Sequence, residues 1–197
     1  MILPGGCWLG GQGVNVISNG GVGTDGPYQC VDLIYRLYVA HGWAPTSWQP
    51  GNGNQVWSNH PSGLISQPQG SITYVGPGDA ISMNVDYNGR QDGADGHVAV
   101  VNTVTANSNG TYGLQLVNEN AYAVYTHGTW NPATKKVTID ADGFSTYPVV
   151  GVLHAPNRLV FIKTKNSGTP YVQVFATSES SGFKTFVIDS SSGFSDT

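Results

Sequence analysis

Apolar positions along the chain form one helical stripe and a series of short strand-like runs. After the break at Gly26-Pro27, Cys30, Leu33, Ile34, Leu37, Tyr38 and His41 recur every three or four residues until Gly42. This spacing predicts a helix whose core-facing stripe begins with Cys30. Asp32 and Arg36 lie four apart on another face, the acid on the N-terminal side, an order that modestly favours a helix. Beyond Asp95-Gly96 the period changes. His97-Val98-Ala99-Val100-Val101 reads as a strand opened by a glycine turn, with His97 at its mouth. Tyr112 to Asn118 reads as a second strand, and the turn formers Asn107-Ser108-Asn109-Gly110 between them predict an antiparallel hairpin. Centring the turn on that cluster sets His97 opposite or diagonal to Asn118 and Asn120. A slip of one residue would turn them to opposite faces.

The pattern shifts after Pro156. Leu159-Val160-Phe161-Ile162, Tyr171-Val172-Gln173-Val174-Phe175 and Phe186-Val187-Ile188 read as strands, with a turn at Asn166-Ser167-Gly168. Ser181-Gly182-Phe183 recurs as Ser192-Gly193-Phe194. The expected organisation is a first domain over 1–156 and a strand-rich tail over 157–197.

The 197 residues suffice for one sizeable core and a small appendage, and 27 Gly, 11 Pro and only 10% charged residues describe a loop- and strand-rich chain of extracellular type. A net charge of -4 and a pI near 5.6 argue against binding nucleic acid or an anionic membrane through bulk charge. No apolar run is long enough to span a bilayer. Met1-Ile2-Leu3-Pro4-Gly5-Gly6 lacks the basic start and apolar stretch of a signal peptide, so secretion is expected to depend on a leader outside this sequence.

The helix start gives Cys30 its chemical interest. Unpaired N–H groups and the positive end of the helix dipole stabilise a thiolate there. His97 is the candidate base and Asn118 the candidate orienter of its ring, a set suited to thiolate attack on an acyl carbon. Cys7 is the second of two cysteines. A Cys7–Cys30 disulfide is the competing reading and would silence the nucleophile. His41, His60, His127 and His154 have no cysteine or carboxylate at a diagnostic spacing and read as packing or capping residues. Tyr28, Trp48 and Trp57 are candidates for a substrate groove; anchoring of long loops is the competing role for the tryptophans.

Tyr28-Gln29-Cys30-Val31-Asp32-Leu33, Pro77-Gly78-Asp79-Ala80-Ile81, Gly96-His97-Val98-Ala99-Val100-Val101 and Val117-Asn118-Glu119-Asn120, in this order and spacing, resemble the CHAP family, the cysteine, histidine-dependent amidohydrolases and peptidases. The resemblance covers most of the first 155 residues. It implies an α+β, papain-like domain with the nucleophile helix packed on an antiparallel sheet. It also implies a secreted or cell-wall-associated hydrolase of peptidoglycan amide bonds, either an N-acetylmuramoyl-L-alanine amidase or an endopeptidase. Carried onto this chain, the catalytic residues are Cys30, His97 and Asn118. Many members have glutamate where Asn118 stands, with asparagine two residues on, where this chain has Asn120. Glu119 should face the other way unless a bulge shifts the register.

Gln29 and Asn120 are supporting candidates. The Cys30 N–H is the first choice for an oxyanion donor, and Gln29 or Tyr28 could supply a second. Some relatives carry a calcium loop before the cysteine, but Gly20-Gly21-Val22-Gly23-Thr24-Asp25-Gly26 offers one carboxylate and argues against such a site. No metal or cofactor is expected, and a monomer is. The tail bears a weaker resemblance to a repeat of a bacterial β-propeller array. A non-catalytic wall-binding or adhesive module on a degenerate papain-like scaffold is the alternative from another class; an acyl transferase would share the same thiol chemistry.

Overall fold

The computed structural model describes residues 1–20, 26–85, 95–121, 123–140, 147–156, 159–166, 169–176 and 184–188. Within them the α+β architecture is one helix and mostly antiparallel sheet. Two single-turn 3-10 segments, Gly5–Cys7 and Leu9–Gly11, precede helix α1, Cys30–Ala40. Strands β1 (Ile65–Pro68), β2 (Ala80–Met83), β3 (His97–Ala106), β4 (Tyr112–Val117), β5 (Tyr125–Asn131), β6 (Lys136–Asp140) and β7 (Val149–His154) follow. They form one sheet in the order β1-β7-β2-β3-β4-β5-β6, each neighbouring pair antiparallel. β8 (Leu159–Asn166), β9 (Thr169–Ala176) and β10 (Lys184–Ile188) make a separate three-stranded sheet in the order β10-β9-β8.

α1 forms where the apolar stripe predicts it. Leu33, Ile34, Leu37 and Tyr38 are fully buried, and His41 and the left-handed Gly42 terminate the helix. These four pack with Ala80, Val98, Val100, Val117 and Leu153 of the sheet and with Trp8, Leu9 and Val16 of the N-terminal segment. The other face holds a second core of Ile81, Ala99, Val101, Leu116, Trp130 and Ile139. β3 therefore reads as a nearly continuous apolar run because alternate residues enter different cores, one on each face. The helix and the mouth of β3 are brought together by this burial.

The β3–β4 hairpin contains one irregularity that matters for the site. Near the turn Val104 pairs Leu114, whereas beyond a bulge at Asn102 Val100 pairs Val117. Had the first register continued, His97 would share its face with Glu119; the extra residue gives that place to Asn118. The bulged Asn102 is held on both ends of its amide. Its Oδ1 accepts from Leu9 N–H at 2.6 Å and its Nδ2 donates to Gln115 Oε1 at 2.7 Å.

At the far end of β2, Asp79 and His154 form a buried pair that sequence spacing did not reveal, 75 residues apart and 3.0 Å between Oδ2 and Nδ1. Asp79 also accepts from Gly76 N–H at 2.8 Å and Ala155 N–H at 2.9 Å, while Tyr74 stacks on the imidazole at 3.8 Å between centroids. His154 thus has a carboxylate partner after all, in a structural role that ties the Pro77-Gly78-Asp79 turn to the end of β7.

Candidate active site

Cys30 is the first residue of α1, close to the Val31 N–H and to the Val98 N–H at the start of β3, both of which favour its thiolate. The His97 imidazole lies close enough to the thiol for the two groups to interact. Burial pushes the Cys30 thiol up, but the charge and hydrogen bond of His97 and the two N–H groups outweigh it, and the net shift is downward from 9.0. His97 moves the other way. Burial pushes it down, the Cys30 thiolate and the bonds to Cys30 and Asn118 push it up, and the net shift is upward from 6.5. Both shifts favour the ion pair of thiolate and imidazolium.

On the far side of the ring, His97 Nε2 lies 3.0 Å from Asn118 Oδ1. The Asn118 amide is oriented by its other end, where Nδ2 donates to Thr126 Oγ1 at 3.0 Å and faces the Val124 carbonyl, which can only accept. Its oxygen therefore faces the imidazole. Nε2 carries a proton, and Nδ1 is left for the thiol. Both His97 and Asn118 are buried, at 6% and 3% exposure, so water competes poorly for these bonds.

Glycines fix the mouth of β3. Gly96 has φ of +66°, and a Cβ there would sit 2.6 Å from the Met83 carbonyl oxygen and against Asn54. A Cβ at Gly53 would lie 2.7 Å from His97 Cα and 2.8 Å from its nitrogen. The loop after α1 thus presses backbone to backbone on the histidine. Sequence reading recognised the turn at Gly96 and missed Gly53, whose only local signal was its place in a Gly/Asn-rich stretch.

The residues after β4 divide their contacts. Asn118 reaches His97. Glu119, fully buried, accepts from Ile17 N–H at 2.8 Å and from Arg36 Nη2 at 2.6 Å and 2.8 Å. Burial raises its carboxyl above the usual range; the Ile17 and Arg36 contacts oppose this, and Asp32 adds to it. It stands in line with Val117, on the helix side, and does not replace Asn118 as the ring's partner. Asn120, with φ of +53°, donates to Gln29 Oε1 at 2.5 Å, and Gln29 Nε2 donates to Gly26 O at 3.1 Å.

The groove candidates separate. Trp48 is a core anchor, 7% exposed, packed on Tyr38, with Nε1 donating to Asn59 O at 2.8 Å; burial withdraws it from a surface groove. Trp57 is half-buried with its ring laid on Gly151 of β7. Tyr28 is half-buried beside the helix start, its backbone held at both ends by the Asn19 amide. Cys7 is exposed and both cysteines are free, so no disulfide silences Cys30. The 21–25 part of the calcium-loop candidate lies outside the described residues, as do both copies of the Ser-Gly-Phe repeat.

The family model for the CHAP domain matches residues 21–120, a span that contains Cys30, His97 and Asn118. The chain belongs to the CHAP family. CHAP domains are in general cysteine-dependent amidohydrolases or peptidases. The chain is also similar to the "Secreted 45 kDa protein" of Lactococcus lactis subsp. cremoris (strain MG1363), 34% identical over 85 residues. That stretch is 42% of this chain and 17% of the relative, so the CHAP chain spans less than a fifth of that protein's length. No solved structure matches it. Among the described residues no helix is long and apolar enough to cross a membrane.

Proposed function

We propose that this CHAP domain is a secreted, cysteine-dependent peptidoglycan hydrolase that cuts an amide bond in cell-wall peptide through a Cys30-His97-Asn118 triad. The observation that carries the reading is the convergence of the Cys30 thiol and the His97 imidazole, each favouring the other's charged form, with the ring held by an amide whose orientation is itself fixed. The Cys30 thiolate attacks the amide carbon, forming a C–S bond while the carbonyl π electrons move to oxygen. The Cys30 N–H at the helix start and the Gln29 side-chain amide, held by Asn120, are the proposed donors to that oxyanion. As the tetrahedral intermediate collapses, the C–N bond breaks and His97 gives its proton to the leaving amine. Water then attacks the thioester, His97 takes its proton, and the C–S bond breaks to release the acid and restore the thiolate. Asn118 holds Nε2 protonated throughout and keeps Nδ1 in the reacting position.

Domain 1–156 is proposed as the catalytic unit and 157–197 as part of a repeat module that holds it near the wall. Secretion fits the printed name of the lactococcal relative.

Mass analysis of fragments from purified peptidoglycan tests this reading and names the bond. Release of stem peptides with new L-alanine amino termini, leaving muramic acid carboxyls, identifies an amidase; cuts within the stem or cross-bridge identify an endopeptidase. Peptidoglycan of several chemotypes left intact by folded protein that still binds it would overturn the hydrolase and favour the adhesive alternative.

A further inference from the structure

The catalytic reading places Cys30 on a helix and His97 with Asn118 on the sheet, two bodies whose relative position must be held to a fraction of an ångström. Packing of Leu33, Ile34 and Leu37 supplies attraction without direction. Direction comes from a polar cluster. Arg36, six residues beyond Cys30 on α1, uses all three guanidinium nitrogens: Nε donates to Asp32 Oδ2 at 2.7 Å, Nη1 to Asn15 O at 2.6 Å, and Nη2 to both oxygens of Glu119. Glu119 directly follows the ring orienter, and its Oε1 also takes the Ile17 N–H. Its carboxylate is fully buried while the Arg36 side chain is 24% exposed. The helix, the N-terminal segment and the end of β4 meet at this one carboxylate. The reaction steps above use neither charge.

We infer that Arg36 and Glu119 form a positioning clamp that sets the nucleophile helix against the His97–Asn118 half of the site, and so sets the contact between Cys30 and His97. Placement explains why it suits that task. Displacing Glu119 must displace Asn118, its neighbour in the chain, and Arg36 moves as one rigid element with Cys30. The Asn120–Gln29 bond ties the same two segments one residue further along, beside the nucleophile. A fork-shaped donor satisfies three acceptors from three directions; lysine, a single point charge, cannot. Tyr28, whose ring centroid lies 5.9 Å from the guanidinium carbon, covers the cluster on the side of the helix start.

This inference rests on the triad reading, and its test reads the thiol directly, without substrate. In a Cys7→Ser background, so that Cys30 is the remaining thiol, the rate of alkylation by iodoacetamide is followed against pH. The variants are Glu119→Gln, which keeps an acceptor for Ile17 and Arg36, Arg36→Lys, and the double variant Arg36→Met/Glu119→Leu, which leaves no buried charge unpaired. The charged groups near the pair are Asp32, Arg36, Glu119 and His97, and circular dichroism with Tm reports folding. In the parent, Cys30 is expected to react below the pH range of an ordinary thiol. In the folded double variant the midpoint is expected to move up by about one pH unit, a tenfold loss of thiolate on the acid side. Arg36→Lys should recover part of that shift, with kcat falling more than KM rises. A double variant with lowered Tm but the parent's alkylation profile would overturn the clamp and leave the triad standing. A parent whose Cys30 behaved as an ordinary thiol would overturn the triad and the clamp with it.

Discussion

Cys30 and His97 each sit where burial alone would disfavour charge, and each is moved toward its charged form by the other. Productive chemistry needs the thiolate and the imidazolium together. Its acid limb is therefore set by Cys30, below the usual 9.0, and its alkaline limb by His97, above the usual 6.5. His97→Ala is expected to lower kcat by about 10²–10⁴-fold. It also leaves Cys30 with burial as the dominant influence, so iodoacetamide should lose its reactivity toward Cys30 at neutral pH. Asn118→Ala removes one support of the imidazolium; the alkaline limb of kcat should move to lower pH while the acid limb moves less, as a pH–rate profile will read. At this scale the sequence was informative. A cysteine after a Gly-Pro break, a histidine after a glycine turn and an asparagine at the hairpin's far end all carry local signals. Asp79–His154 and Arg36–Glu119 do not, because their partners lie 75 and 83 residues apart and nothing in local composition joins them.

Among the elements, α1 and the β3–β4 hairpin were legible because each has a clean period and a clear stop signal. The bulge at Asn102 was not, since an extra residue in a strand leaves the alternation of Val100, Val101 and Val104 readable in more than one register. Trp48 is the converse case: a loop aromatic in a polar stretch reads equally as a groove residue or as a loop anchor, and its packing against Tyr38 makes it part of the core. The join between β2 and β7 supplies an element-scale prediction. Asp79→Ala would leave the Gly76 and Ala155 N–H groups and the His154 Nδ1 without their acceptor. At about 1 kcal/mol or more for each buried donor, stability should fall by roughly 3 kcal/mol or more. Denaturant unfolding measures that loss, and kcat of the folded fraction should stay close to wild type, because His97 lies at the opposite end of the β2–β3 pair.

For the whole molecule, one sheet covered on both faces brings the helix start to the strand mouth, and the three C-terminal strands hydrogen-bond in a sheet of their own. Limited trypsin digestion is expected to cut after Arg158 and release a stable fragment of residues 1–158 that retains the parent's alkylation profile; a tail that could not be separated without unfolding the rest would argue for a single domain. The central claim is that Cys30 is the nucleophile of a peptidoglycan hydrolase, and the rate of fragment release from purified peptidoglycan by wild type and by Cys30→Ala tests it most directly. The expected result is cleavage by wild type and a loss on the order of a thousandfold or more in the variant, with binding and Tm retained. Equal release of the same fragments by Cys30→Ala would contradict it.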